Sequence, residues 1–225
     1  SVTVAVTDAV FSATQDIGID IINLNDNSPV FNSDVAFTIN ENETSIGTAS
    51  ATDADGDTLT YSISGSEISI DSDTGVMSFV AAPDYETKTS YEAALTVSDG
   101  VNSTSQDIVI NINDLNDEAP VFTSSSSFTA DENQTNIGIV TATDGDGDDV
   151  TFGVYNRNED DGQFIQLSTA GYMSFIEAPD YETKSVYIAK IRASDGTNQT
   201  IQDIRIDVNN LNDNSPNITS NSSFT

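Results

Sequence analysis

In a chain of 225 residues, thirty-seven acids face six bases, for a formal charge of −31, and neither His nor Cys occurs. A surface this acidic repels nucleic acid and anionic lipid headgroups, which excludes both as partners. Without imidazole or thiolate the usual ligands of zinc, copper and iron are missing, and so is a disulfide framework; oxygen-ligated ions remain, Ca2+ first and Mg2+ second.

No apolar run approaches the length of a membrane span, so no membrane insertion is expected within these residues. No signal peptide is visible at Ser1. A chain that opens and stops in mid-pattern reads as a fragment of something longer.

In chain order, residues 1–27 read as the C-terminal part of a module. Val6-Thr7-Asp8 and Gln15-Asp16-Ile17 match Val97-Ser98-Asp99 and Gln106-Asp107-Ile108 further on. The junction Leu24-Asn25-Asp26-Asn27-Ser28-Pro29-Val30-Phe31 follows. It returns as Leu115-Asn116-Asp117-Glu118-Ala119-Pro120-Val121-Phe122 and as Leu211-Asn212-Asp213-Asn214-Ser215-Pro216. Repetition at this period means tandem modules. Asn40-Glu41-Asn42 matches Asp131-Glu132-Asn133, and Thr52-Asp53-Ala54-Asp55-Gly56-Asp57 matches Thr143-Asp144-Gly145-Asp146-Gly147-Asp148. Pro83-Asp84-Tyr85-Glu86-Thr87-Lys88 returns as Pro179-Asp180-Tyr181-Glu182-Thr183-Lys184, five residues late. The extra residues fit the polar stretch Tyr155–Gly162, a loop tip where insertions are tolerated. Ser98-Asp99-Gly100 maps to Ser194-Asp195-Gly196. The layout is therefore a module tail at 1–27, complete modules at 28–118 and 119–214, and the start of another at 215–225.

Inside a module the apolar period is two. Tyr91, Ala93, Leu95 and Val97 alternate with polar or small neighbours, as do Ile108, Ile110 and Ile112. Tyr187, Ala189, Ile191 and Ala193, then Ile204, Ile206 and Val208, repeat the pattern. Such alternation means strands with one buried face, and Asp-Gly, Ser-Gly and Thr-Gly pairs mark the turns. The fold class is all-β: tandem Greek-key β-sandwiches of the immunoglobulin-like kind, about seven strands each, joined end to end. Phe31 and Phe122 start each core, and Pro83 and Pro179 end strands.

Each module carries the same acidic elements with almost no bases to pair them. Carboxylates gathered within ~5 Å repel by roughly 3 kcal/mol per pair at an effective dielectric near 20, unless a cation fills the cluster. Ca2+, which accepts six to eight oxygens in loose geometry, suits this chemistry. An EF-hand beginning at Asp53 fails, because Thr58 stands where its Gly is needed and Ser64 where its Glu is needed. An isolated Asp-Gly pair is more often a hairpin turn than a ligand. Repetition in register reverses that for Asp53, Asp55, Asp144 and Asp146. Asp57, Asp148 and Asp149 read as turn or solvated acids, and Asp71 and Asp73 as turn residues. A salty habitat would explain the charge but not the register.

Taken in order, these elements resemble tandem cadherin repeats over essentially the whole chain. Asp53-Ala54-Asp55 alone is a weak signal; four elements in register are specific. The resemblance implies calcium between modules. At the one complete junction it implies ligands from Glu41, Asp84 and Glu86, from Asn116 and Asp117 with the carbonyls of Leu115 and Glu118, and from Asp144, Asp146 and Asp195. The first junction keeps Asn25, Asp26, Asn27, Asp53, Asp55 and Asp99. The last keeps Glu132, Asp180, Glu182 and Asp213. Both lack part of their set, so partial occupancy is expected.

The chain departs from the family in places. Tyr85 and Tyr181 replace an Arg that is not a ligand, and read as packing or rim residues. Asn23 and Asn210 stand where the junction's first Asp is expected, with only Asp114 retained. The family's vertebrate adhesion members dock an N-terminal Trp into a partner; no Trp occurs here, so that mechanism is excluded for this fragment. Asp-Gly-Asp-Thr-Leu-Thr-Tyr without Cys or Trp resembles the bacterial branch of the family.

The resemblance implies a non-catalytic, extracellular, secreted or cell-surface adhesion module, in which Ca2+ at the junctions rigidifies a rod and the partner is a cell-surface protein, homophilic or heterophilic. Two alternatives stay open. One is calcium-dependent polysaccharide binding, weakly served by tyrosines without Trp. The other is a passive spacer in a large surface protein. Paired carboxylates can hydrolyse glycosides, but here they recur at junctions instead of converging on one cleft, and no nucleophile–base pair stands out, so no enzyme is expected.

Overall fold

A computed structural model describes residues 1–158 and 160–217. It divides into two compact units between Asn113 and Asp114. Most of the expected fourth segment, 218–225, lies outside the described residues.

The first unit opens with an antiparallel hairpin, Val2–Thr7 against Ser12–Ile17, exposed on both faces. Its turn is closed by Asp8, whose Oδ1 accepts the N–H of Val10 at 2.8 Å and of Phe11 at 2.7 Å.

The sandwich of this unit follows. One sheet runs in the order Ala36–Asn40, Ser103–Asn113, Ser90–Ser98, Thr60–Ile63, with the first pair parallel and the others antiparallel. The other face holds Ser45–Thr48, Val76–Phe79 and Ile68–Ile70, together with the short pair Val30–Phe31 and Ala51–Thr52. The first strand is thus split: Val30–Phe31 pairs on one face, and after a break at Asn32–Val35 the chain pairs on the other. Period-two alternation sends Leu95, Val97, Ile108 and Ile110 fully inward. Leu95, Ile108 and Ile110 meet Met77 and Phe79 from the opposite face, and Phe31 packs against the cluster half-buried.

Gly75 makes one close approach possible. Its φ is +71°, its carbonyl accepts the Ala49 N–H at 2.8 Å, and a Cβ there would lie 2.4 Å from the Ala49 carbonyl oxygen. Only glycine fits.

The second unit repeats the plan, with the sheet order Ser127–Asp131, Gln199–Asn209, Val186–Ser194, Thr151–Tyr155, again parallel in the first pair. Ile191, Ile204 and Ile206 form its centre with Met173 and Ile165. The prolines read as strand ends lie past them: the strands stop at Phe79 and Phe175, and Pro83 and Pro179 are buried in the loops beyond. There each carbonyl accepts an N–H, from Asn42 and Asn133 respectively, at 2.9 Å.

The inserted stretch is not a free loop tip. After a turn with Asn156 at φ +46° it forms a 3-10 helix, Asp161–Phe164, capped by Asp160. The sheet strand Val186–Ser194 runs beyond its pairing with Tyr155, which leaves edge amides open. Asp160 takes the Lys190 N–H at 3.0 Å, Asp161 takes the Ile188 N–H at 2.8 Å and pairs with Lys184, and Phe164 meets the Tyr187 ring edge-on at 5.8 Å. The insertion closes an edge.

Candidate metal centres

Each unit gathers its acids at the two ends of its longest hairpin. In the first unit, strand Ser103–Asn113 starts beside Asp99 and ends beside Glu41, whose N–H donates to the Asn113 carbonyl at 3.2 Å. Eleven residues of strand separate these ends by roughly 30 Å.

At the Asp99 end, strand Ala51–Thr52 stops and Asp53 folds the next residues around its own side chain. Its Oδ1 accepts the N–H of Asp55 at 2.8 Å and of Asp57 at 3.5 Å. The loop turns at Gly56, with φ +78°. Asp53, Asp55 and Asp57 thereby bring carboxylate oxygens within 4.8 Å of one another. Asp55 ties in the linker: its Oδ2 accepts the N–H groups of Asp26 at 3.0 Å and Asn27 at 2.8 Å, and its Oδ1 accepts Asn27 Nδ2 at 2.9 Å. The Asn27 backbone and then its side chain hold the Asp55 carboxyl below its ordinary value, against burial and the nearby Asp99. Asp57 goes the other way, pushed up by burial and then by repulsion from Asp53, Asp55 and Asp99. At Asp99, burial works to raise the carboxyl, but hydrogen bonds from the backbone amides of Asn102 and Val101 and from the side chains of Asn102 and Asn25 hold it low.

At the other end Glu41 is only 2 % exposed, and its Oε2 accepts the Tyr85 N–H at 2.8 Å. That bond fixes the segment carrying Asp84 and Glu86, which with Glu41 present oxygens within 4.8 Å of one another. The Thr87 hydroxyl, 2.7 Å from Asp84 Oδ2, is the main cause of a lowered Asp84 carboxyl. Tyr85 packs on the core, whereas Tyr181 is 37 % exposed at the rim.

The second unit copies both constructions. Asp144, Asp146 and Asp148 cluster as their counterparts do. Asp146 Oδ2 accepts the Glu118 N–H at 3.0 Å, and Asn116 Nδ2 donates to Asp148 at 2.5 Å. Glu132, 1 % exposed, accepts the N–H of Tyr181 at 2.9 Å and of Leu211 at 2.5 Å, and clusters with Asp180 and Glu182. The Thr183 hydroxyl holds the Asp180 carboxyl low. Asp213 joins this end through Asn133 Nδ2 at 2.5 Å. Leu115 and Asp117 are exposed in the linker stretch.

Two residue types were missed in the sequence. Asn102 donates through Nδ2 to Asn25 Oδ1 at 3.2 Å and the Asn27 carbonyl at 3.3 Å. Asn198 does the same to Asn116 Oδ1 at 2.9 Å and the Glu118 carbonyl at 3.2 Å. The available signal was the repeated Asp-Gly-x-Asn of Asp99-Gly100-Val101-Asn102 and Asp195-Gly196-Thr197-Asn198. Asp57 and Asp148 are the second miss. Asp57, with one oxygen dry and unpartnered, is not simply a solvated turn acid, whereas Asp148 offers an oxygen to its cluster but is exposed. Asp149 is exposed, as read.

The donors fit a hard cation. They are all oxygens, and one oxygen each of Asp53, Asp57, Asp144, Asp146 and Asp195 is shielded from water without a hydrogen-bond partner. Buried polar atoms are rarely left so, and Ca2+ is the ion whose coordination such oxygens suit.

Among known proteins, residues 25–112 match a family model described as a bacterial Ig domain. The chain is 35 % identical over 217 residues to human protocadherin Fat 4, which covers 89 % of this chain and 4 % of that protein. It is 32 % identical over 236 residues to human cadherin EGF LAG seven-pass G-type receptor 2, covering 95 % of this chain and 8 % of that protein. The chain thus spans only a small part of these relatives. In solved structures, the fold matches human protocadherin-24 EC1-2 with a TM-score of 0.70 at 22 % identity, covering 84 % of this chain and 100 % of that one. It matches mouse cadherin-23 EC22-24 with a TM-score of 0.68 at 20 % identity, covering 89 % and 70 %.

Proposed function

We propose that this run of tandem cadherin-like domains is a non-catalytic, calcium-binding segment of an extracellular adhesion protein, and that calcium at the linkers stiffens it. The observation that carries this reading is the set of buried, unpartnered carboxylate oxygens at Asp53, Asp57, Asp144, Asp146 and Asp195. Each acid lies in a loop at the linker end of its own unit, and at that end Asp55 or Asp146 binds linker amides.

A bound divalent cation supplies charge neutralisation and shared coordination. The protein's part is to hold the oxygens. Glu41 and Glu132 fix the Asp-Tyr-Glu segments from beneath, Asp53 and Asp144 shape the Asp-x-Asp loops, and Asn102 and Asn198 pin the linker carbonyls. Without the ion, the acids repel and the linkers loosen. Likeness to the protocadherins and to the cadherin receptors supports a cell-surface location and a cell-surface protein as partner. The bacterial Ig match and the Asp55-Gly56-Asp57-Thr58-Leu59-Thr60-Tyr61 sequence support a bacterial setting.

Small-angle scattering of the chain in chelator and in millimolar calcium tests the stiffening. A larger, less variable maximum dimension in calcium is expected; identical curves would overturn it.

A further inference from the structure

Three features of the Asp53–Asp57 loop go beyond the ligand set that the resemblance implies. The first is the use of its oxygens. Asp55 has both oxygens engaged by linker donors, and Asp53 Oδ1 is engaged by the loop's own amides. Among the oxygens left over, Asp53 Oδ2 and Asp57 Oδ2 are both closed to water and both without a partner.

The second is their proximity, since the three carboxylates present oxygens within 4.8 Å of one another. The third is the lack of any internal cation. Lys88 is the one basic side chain before Arg157, and it is paired with Glu67 at 2.7 Å. Two dry, unpaired carboxylate oxygens in one such loop are unfavourable unless something positive sits beside them.

We propose that Asp57 is itself a metal ligand, and that a calcium-sized divalent cation is held between Asp53 Oδ2 and Asp57 Oδ2. This rests on the metal-binding reading above but assigns a residue that neither the repeat pattern nor the resemblance supplied. It gives Asp55 a separate task, which is to fasten the linker residues Asp26 and Asn27 over the ion. The site draws all of these groups from the first unit. Asp148, the counterpart in the second unit, has one oxygen engaged by Asn116 Nδ2, so the assignment is made for Asp57.

Calorimetric titration with CaCl2, paired with melting curves in chelator and in calcium, tests it on four chains: wild type, Asp57→Asn, Asp53→Asn and the exposed control Asp73→Asn. Asp57→Ser is held as a second variant should the amide disturb the loop. The expected result for Asp57→Asn is calcium binding weakened about tenfold or more at one class of site. Its melting temperature in chelator should match or exceed wild type, because a repelled charge is gone, and its calcium-induced rise should shrink. Asp73→Asn should behave as wild type. If Asp57→Asn and Asp57→Ser bind as wild type while Asp53→Asn loses a site, the ligand role of Asp57 is overturned and the metal reading stands. If Asp53→Asn also binds as wild type, both fall.

Discussion

Glu41 and Tyr85 lie forty-four positions apart and meet through one bond: the buried carboxylate accepts the tyrosine's backbone N–H at 2.8 Å. Glu132 and Tyr181 repeat it at 2.9 Å. In each unit a glutamate beneath the surface thereby sets the position of the two acids flanking that tyrosine.

Removing that acceptor should cost stability without any ion. Glu41→Ala leaves the Tyr85 N–H unsatisfied and is expected to lose about 1–3 kcal/mol in chelator. Glu41→Gln keeps an acceptor, so its loss in chelator should be smaller, yet it should reduce the stabilisation added by calcium. Urea unfolding of both variants with and without calcium measures the two effects separately.

The linker clamps are a second target. Asn198→Ala deletes the Nδ2 donor that reaches Asn116 Oδ1 and the Glu118 carbonyl, for an expected loss of about 1 kcal/mol. Faster amide exchange at Asn116–Glu118, with the core amides unchanged, would identify the loss as local.

Much of the sandwich was legible because its signal is local. Strand Ser90–Ser98 shows itself by alternation, since a strand with one buried face must alternate. The split first strand was not legible: two residues at Val30–Phe31 carry no period, and a move to the other face depends on partners distant in sequence. The acids at strand ends were legible through register. Asp57 was not, because an Asp-Gly-Asp turn reads alike whether its last carboxylate faces water or the cluster. Asn102 was missed for a related reason. Its role is to donate to backbone carbonyls, and carbonyl acceptors leave no mark in a sequence.

Gly75 offers a test of the turn chemistry. Gly75→Ala forces a Cβ to 2.4 Å from the Ala49 carbonyl oxygen at φ +71°, so a loss of about 2–4 kcal/mol is expected. Gly56, also at positive φ but with open space around it, should lose less on the same change. Comparing their melting temperatures separates the clash from the backbone strain.

Acid stability should carry the mark of Asp71. The Thr74 hydroxyl, then the Thr74 and Asp73 amides, hold this carboxyl below its ordinary value of 3.8. A carboxyl depressed on folding contributes stability that is full above its unfolded value and is lost as pH falls through its folded value. The difference in stability between wild type and Asp71→Asn should therefore be constant from about pH 5 upward and shrink below pH 4. Thr74→Val should weaken that pH dependence.

Calcium binding by these acids is best measured by calorimetric titration of the chelated chain with CaCl2 in a background of millimolar MgCl2. Saturable binding of more than one equivalent is expected, with dissociation constants on the order of 10⁻⁴–10⁻³ M or tighter, and a smaller stoichiometry for Asp53→Asn and for Asp144→Asn. A titration with no saturable heat, or one that magnesium abolishes, would contradict it.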